Sequence, residues 1–560
     1  MSKMSPFMKR FSILLAALCL YSAPDAEACT NFIVTRGASS DGSVMVTYAA
    51  DSHQLYGALY KYNAPRRGYK AGTMLPVYEW DTGKYLGLIE QVPQTYSTVG
   101  NMNEKQLIIA ETTFGGRSEL YDSTGIMDYG SLIYIALQRA ATAREAIGVI
   151  VDLASRYGYC SSGESFSIAD KNEAWIMELI GKGCRIINGE NADKGIVWVA
   201  RRIPDGYVSG HANQSRIAQF PLDDPENCMY APDVITFARE KGLYEGSDED
   251  FSFCDTYCPL DFGALRGCEA RVWSFFNRVA DGMSAYTDYA MGYNPENRMP
   301  LWVKPTEKIT PKQLFDCMRN HYEDTPMDMR RDIGAGGHAL PYRWRPMNFE
   351  VDGVQYLNER ATATQQTGFW FTAQARGWLD DRIGGVLWFG VDDAATSPLT
   401  PIYCSTLRVP WCLSENNGHM TEYSESSMFW LVNRIANFAY LRYDAIGADV
   451  RKAVDEWENA RIEQIDRIDA AASEMKPGKA VKYLTDYSVN TAQELFDRWS
   501  ALDKYLLVKY IDGNVKRETE NGFEDNGYGR NIPAQPLFPG YGEKWKRAVA
   551  AGDDGTLKAK

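Results

Sequence analysis

Cys29–Asp51 reads CTNFIVTRGASSDGSVMVTYAAD. Two runs rich in β-branched and aromatic residues, Thr30–Arg36 and Ser43–Ala49, flank the turn-forming GASSDG. That pattern predicts a β-hairpin, because Gly, Asp and Ser supply the backbone freedom and local hydrogen bonds a chain reversal needs. Cys29 sits at the open end of this hairpin, and the returning strand brings Asp51 back beside it.

Upstream lie Lys3, Lys9 and Arg10, an apolar run Phe11–Tyr21, and Ala26-Glu27-Ala28. This is the layout of a secretory signal peptide with an A-x-A cleavage site. The apolar run is about half of the ~20 residues a membrane-spanning helix needs, so no transmembrane anchor is expected. Cleavage after Ala28 would make Cys29 the first residue of an exported protein, periplasmic or extracellular. Three roles then compete for Cys29. It could carry a lipid anchor, but that processing favours a Leu-like residue three places upstream, where Ala26 stands. It could be a disulfide partner or inert. It could be a nucleophile. The chemistry favours the last: an α-amine with a pKa of about 7.7–8.0 can take a thiol proton near neutrality, so a cysteine at position one carries its own base.

The chain of 560 residues is long enough for one large domain with additions, or for two to three domains. Aromatic residues at 12% and charged residues at 24% fit a soluble globular protein. A net charge of −14 with no long basic run argues against nucleic acid as a partner. Of eleven cysteines, setting aside Cys19 and Cys29 leaves an odd number. Cys254 and Cys258, with Cys268 nearby, are the expected local disulfide partners in an oxidising compartment. Their spacing lacks the second pair of a zinc site, so no metal is expected. There is no GxGxxG, Walker loop or fixed-period repeat, and no cofactor is expected.

Further along, Gln106–Glu111 reads as a strand and Asp128–Ala140 as a helix. Thr142-Ala-Arg-Glu145 is a capping-box sequence opening a helix to about Tyr157, with Gly158 as its stop and Ile147, Ile150, Val151 and Ala154 on its core face. Ser165–Ala169 and Ala174–Leu179 flank a DKNE turn as a second hairpin, and Val197–Arg201 is another short strand. This order predicts a layered α+β fold. Beyond residue 420 the pattern turns helical: Ser427–Tyr443, Ala448–Ala472, and a helix opened by the capping box Thr491-Ala-Gln-Glu494 with Phe496, Trp499, Leu502 and Leu506 on one side. The division expected is a leader over 1–28, a catalytic domain over 29–420, a helical region over 421–515 packed on it, and a loop-like tail over 516–560. The helical region is also a candidate surface for self-association. Among five histidines none forms HExxH; His53 and His211 are the two placed to serve a Cys–His pair.

Cys29-Thr30 after an A-x-A site, GNMNEKQL over 100–107, Ser209-Gly-His-Ala-Asn213-Gln-Ser-Arg216-Ile and Arg271-Val-Trp-Ser-Phe-Phe occur in this order. So do Gln374-Ala-Arg376, Ile383-Gly-Gly-Val-Leu-Trp388, Pro401-Ile-Tyr403 and the elements of Tyr483–Val515. Together they resemble the dipeptidase A family, cysteine peptidase family C69, within the N-terminal-nucleophile hydrolases that include penicillin V acylase and bile salt hydrolase. The resemblance covers most of 29–515. It implies a four-layer αββα sandwich, here with a helical C-terminal extension, and hydrolysis of dipeptides through an S-acyl enzyme. It implies Cys29 as nucleophile with its α-amine as base, and Asp51 as the aspartate that ends the first hairpin. Asn213 would donate to the oxyanion, Asn103 would be a second site asparagine, and Arg271 the later site arginine. Arginine in such a place can orient Asp51 or a substrate carboxylate. Glu111 is a candidate to bind the free ammonium of a dipeptide. Each has a bland counterpart: Asn213 could cap a helix at Gln214, Asn103 could be a turn residue, Arg271 a salt-bridge arginine and Glu111 structural. The acylase relatives carry an arginine where this chain has Tyr48, which weakens the N-acyl amide hydrolase reading relative to the peptidase reading. A non-catalytic surface lipoprotein acylated at Cys29 is the alternative from another class.

Overall fold

The opening hairpin forms as its sequence dictates. In the computed structural model, β1 (Asn31–Val34) and β2 (Val44–Asp51) run antiparallel with Ile33 opposite Val46, and Thr30 bridges Ala49. Gly42 holds a φ of +79° in the turn, a left-handed value that glycine adopts without steric penalty. Residues 29–528 and 530–559 are described by the structure; the expected leader lies outside them.

Strand β2 is buried along its whole length. Its side chains alternate between two cores, as a period of two requires. Val44, Val46, Tyr48 and Ala50 join one apolar cluster, while Met45 and Ala49 join another. The other strands of four residues or more in the two large sheets are β3 (Ile108–Gly115), β4 (Gly163–Ala169), β5 (Ala174–Gly181), β6 (Ile196–Arg202), β7 (Val208–His211), β8 (Thr367–Ala375), β9 (Gly385–Val391) and β10 (Thr400–Tyr403). The first sheet has the order Trp302–Val303, β7, β1, β2, β8, β9, β10. The second runs Cys228–Tyr230, β6, β5, β4, β3, and then the short strands Met102–Asn103, Thr98–Val99 and Lys61–Tyr62. Pairing is antiparallel throughout both sheets.

Helices cover the outer faces. On the second sheet lie α1 (Tyr129–Arg139) and α2 (Ala143–Tyr157). Asp128 caps the first by accepting from the Ser131 amide, Thr142 caps the second by accepting from Glu145, and Gly158 ends it at a φ of 78°. Leu132, Ala136, Ile147 and Ile150 pack there on Ile109, Phe166, Trp175 and Met177. On the first sheet lie α3 (Ala270–Val279), α4 (Pro311–Cys317) and parts of the C-terminal helices α5 (Met428–Tyr440), α6 (Ala448–Ser473) and α7 (Pro477–Tyr510). Trp273, Phe275, Leu314, Ile468 and Leu484 meet Phe32, Met45, Trp370 and Trp388. Between the sheets Val46, Phe371 and Leu387 meet Ala110, Ile176 and Val197, a cluster that also takes in Cys29 and Tyr48. The result is the α+β four-layer αββα sandwich, with a helical C-terminal region on its first sheet.

Three local expectations are corrected. Thr491 does not open a helix: it is buried inside α7, which runs for 34 residues because nothing between Gly478 and Gly513 breaks it. The tail is not all loop, since Glu543–Gly552 is helical. Cys254 and Cys258 are not bridged, and all ten cysteines among the described residues are free thiols. The two sulfurs sit one turn apart at the ends of the short helix Phe253–Tyr257 and face different partners. Cys254 Sγ accepts from Arg298 at 2.9 Å, and Cys258 Sγ points to the Phe114 carbonyl at 3.5 Å.

Candidate active site

Cys29 lies at the head of β1, buried between the sheets. Its main chain is clamped. Arg271 Nη1, from α3, donates to the Cys29 carbonyl and to Thr30 Oγ1, each at 2.8 Å. Thr112 Oγ1, on β3, donates to the same carbonyl at 3.2 Å. The thiol therefore has a fixed direction. It donates to Glu111 Oε1 at 3.2 Å and stands 3.5 Å from the Tyr48 hydroxyl, which itself donates to Glu111. The Asp51 main-chain N–H also reaches the sulfur. Burial, then the Glu111 and Asp51 carboxylates, pushes the Cys29 thiol well above its ordinary pKa, against the smaller pull of Tyr48 and the Asp51 N–H. The sulfur is thus a neutral thiol near pH 7 and needs a proton acceptor or a cation to become a nucleophile.

Asp51 ends β2, buried opposite Thr367 at the start of β8. Arg360 Nη2 pairs with its Oδ2, and Thr367 Oγ1 donates to Oδ1 at 2.6 Å. Burial still raises its pKa despite these partners. The cation on Asp51 is therefore chiefly Arg360, not Arg271.

Asn213 follows β7 and opens no helix. It holds a φ of +56°, unusual for a residue with a side chain. Its main-chain N–H donates to Thr112 Oγ1 at 2.7 Å, its Nδ2 to the Thr113 carbonyl at 2.7 Å, and its Oδ1 accepts from Arg271 Nη2 at 2.8 Å. Arg271 and Thr112 thus tie Asn213 and Cys29 into one unit. Asn103 is not brought into this group. Its Nδ2 donates to the Leu137 and Ala140 carbonyls, closing the end of α1, and its Oδ1 accepts from the Lys105 and Leu107 amides, holding its own turn. His211 bonds Ser167 through Nε2, and burial lowers its pKa to about 3, which keeps it neutral; His53 is exposed.

Behind Glu111 lies a second buried acid, Glu164 on β4. Burial and the neighbouring Glu111 hold its pKa well above the ordinary range. The two carboxyls share hydrogen-bonding reach, and Thr113 Oγ1 donates to Glu164 at 2.9 Å. Tyr48, Thr112, Glu164, Arg360 and Thr367 were not singled out as site residues from the sequence. Arg360 sits in an unpatterned loop and carries no motif, Thr367 opens β8 with nothing local to mark it, and Tyr48 showed only as a departure from the acylase pattern.

One other acidic group, Asp316, Asp455 and Glu458 between α4 and α6, is geometrically close enough to hold a metal. Lys312, Arg319 and Arg451 already pair with it. It reads as an interhelix ion network.

Buried acids give the protein a pH signature. Burial pushes Glu164 and Asp392 well up and Glu178 up to about 7. Such groups bind protons more tightly folded than unfolded. The stability they add is present below the unfolded value of roughly 4 and is lost as pH rises toward the folded values. The acids held down to about 2 (Asp193, Glu323, Asp328, Asp380) act in the opposite sense only in stronger acid, and His211, held down to about 3, opposes only up to its unfolded value of about 6.5, one group against three. Thermal melts should therefore give a higher Tm at about pH 5.5 than at about pH 8. A higher Tm at the alkaline end would refute the protonated state of these carboxyls.

The pattern of Peptidase family C69 matches residues 28–456. A probable dipeptidase of Latilactobacillus sakei is 22% identical over 472 residues, 79% of this chain and 88% of that one. Dipeptidase A of Lactobacillus helveticus is 23% identical over 394 residues, covering 69% and 71%. The structure of penicillin V acylase from Agrobacterium tumefaciens covers 71% of this chain and 94% of that one at 12% identity, with a TM-score of 0.28. The protein is a peptidase hydrolase. It belongs to peptidase family C69, as the residue blocks of its sequence implied.

Proposed function

We propose that this protein is an exported dipeptidase whose nucleophile is the thiol of Cys29 at a processed N-terminus. The observation that carries the reading is the convergence on one buried cysteine: a main chain clamped by Arg271 and Thr112, which also hold Asn213, with Glu111 and Asp51 at the sulfur. The sulfur attacks the scissile carbonyl carbon, forming a C–S bond. The free α-amine takes the thiol proton and passes it to the leaving amine as the C–N bond breaks. Water then cleaves the thioester, releasing the acid and restoring the thiol. The Asn213 amide, oriented by Arg271, stabilises the developing oxyanion. Asp51, held by Arg360 and Thr367, is the counter-charge for the Cys29 ammonium.

Glu111 fits the free ammonium of the substrate. A cation placed beside Glu111 and the sulfur would offset the repulsion that helps keep the thiol protonated. This favours unblocked dipeptides over N-acyl amides. Among the described residues no helix is long and apolar enough to cross a membrane.

The experiment is a panel of dipeptides, their N-acetyl forms and penicillin V, run on the wild type and on Glu111→Gln. The expected result is hydrolysis of free dipeptides alone, with a KM raised roughly tenfold or more in the variant through loss of one charge-assisted contact. Preference for the acylated amides would overturn the dipeptidase reading. A second reading rests on the 3.2 Å contact from the sulfur to Glu111, which lets Glu111 itself accept the thiol proton. In that case Glu111→Gln would lower kcat and leave KM in place.

A further inference from the structure

Asn213 is held at an unfavourable backbone conformation at the nucleophile, yet the chain that carries it has no regular structure. After β7 ends at His211, residues 212–217 lie in neither strand nor helix. A left-handed backbone is uncommon for any residue with a side chain, asparagine being among the more tolerant, so the conformation persists where its surroundings hold it. On the upstream side Thr112, Thr113 and Arg271 do this. On the downstream side the Gln214 and Arg216 side chains and the Ile217 carbonyl have anchors of their own, while the Ser215 hydroxyl and the consecutive main-chain N–H groups of Arg216 and Ile217 are all taken up by one carboxylate, that of Glu178 in the middle of β5.

Glu178 is fully buried. Ser215 Oγ donates to its Oε2 at 2.5 Å and the Arg216 main-chain N–H to its Oε1 at 2.6 Å. The Ile217 N–H reaches both oxygens, at 3.3 and 3.2 Å. The Arg216 guanidinium turns elsewhere, to Glu269 at 2.9 Å and to the carbonyls of Gly210, Pro300 and Leu301. Glu178 therefore spends its bonding on three consecutive residues of one irregular turn, supplying the acceptors that a sheet or helix would otherwise provide. The other ionisable groups that sense it are Arg216 and the thiols of Cys254 and Cys258. Nothing in the chemistry at Cys29 uses this acid directly, and an unpaired buried carboxylate is costly to keep.

We propose that Glu178 is a positioning residue: it pins the Ser215–Ile217 turn and thereby fixes the Asn213 amide against the oxyanion formed at Cys29. The inference rests on the proposed nucleophile and oxyanion assignments. It deepens them by adding a group one shell removed from the reacting atoms.

The test is a double-mutant cycle on dipeptide hydrolysis with Glu178→Gln and Asn213→Ala. Glutamine keeps one acceptor oxygen but turns an NH2 toward backbone donors, so the turn loosens. Alone, Glu178→Gln should lower kcat by about 10- to 100-fold, below the 10²–10³ loss of a whole oxyanion donor, with KM held within about twofold. Alkylation of Cys29 by iodoacetamide, which forms no oxyanion, should also stay within about twofold of the wild type. In the Asn213→Ala background the same substitution should cost less than about twofold, because the group it positions is gone. Multiplicative losses, an unchanged kcat, or parallel collapse of kcat and alkylation would each overturn the proposal. If Glu178→Gln does not fold, Ser215→Ala removes a single bond to the carboxylate. It should lower kcat a fewfold, again only where Asn213 is present. Retained activity in Cys29→Ala would instead mark failure of the nucleophile assignment, whatever the cycle gives.

Discussion

Cys29→Ala is expected to lower kcat on dipeptides by about 10⁴-fold or more, the scale seen when a covalent nucleophile is removed. The reasoning is structural as much as chemical. Around the sulfur stand acceptors and donors that can orient, stabilise or shuttle a proton, Glu111, Tyr48 and the Asp51 amide, while Asn213 is joined to the Cys29 carbonyl through Arg271. Among the described cysteines it is Cys29 that both lies at the head of a central strand and has its own carbonyl clamped by a buried arginine. The neighbouring hydroxyl of Tyr48 cannot replace it, because burial and the charges of Cys29 and Glu111 push its pKa well up and keep it protonated. Folding should survive. Alanine removes a small buried thiol whose main-chain bonds to Arg271 and Thr112 remain, so the melting temperature should move little. Mass spectrometry of the quenched wild type should find an acyl group on the Cys29 peptide, absent from the variant. Near-normal turnover by the variant would show that another group attacks the substrate.

The hairpin over 29–51 was legible because it obeys two local rules at once, alternating burial and turn chemistry. The caps at Asp128, Thr142 and Gly158 were legible for the same reason: one side chain or one glycine decides each end. The alternation in β2 could not say that both of its faces are buried; that follows from the helices beyond 270 and 428, which no short window sees. Thr491 misled because a capping sequence is only a local preference, and packing of α7 along the sheet overrides it. At the site, Cys29, Asp51, Glu111, Asn213 and Arg271 converge. Asn103 belongs instead to the end of α1, where a turn asparagine does ordinary work. Arg360 was illegible: its pairing with Asp51 joins residues 309 positions apart, and the loop carrying it has neither period nor motif. Glu178 was hidden differently. On a strand that reads as apolar core, a lone acid gives no sign of which main chain it will receive.

A single extra residue before Cys29 should be nearly as damaging as loss of the thiol. An amide nitrogen is not basic, so the chain would lose the proton acceptor that the mechanism places beside the sulfur. General-base catalysis of this kind contributes about 10²–10⁴-fold, and the loss in kcat/KM should fall in that range. The electrostatics sharpen the expectation. With Glu111 and Asp51 facing it and water excluded, the Cys29 thiol is held well above its ordinary pKa. Only a positive charge at the N-terminus, or one brought by the substrate, offsets those carboxylates. The extended form should therefore alkylate slowly across neutral pH, and its labelling should rise only in alkali, above the free-cysteine range of about 8.5. The form that begins at Cys29 should label faster near neutrality. The two measurements separate the two candidate bases. If the extended form hydrolyses dipeptides as fast as the processed one, the α-amine is dispensable. Glu111, 3.2 Å from the sulfur, then becomes the base, and Glu111→Gln must abolish turnover in both forms. If the extended form fails while Glu111→Gln alters only KM, the proton travels through the N-terminus and Glu111 serves the substrate.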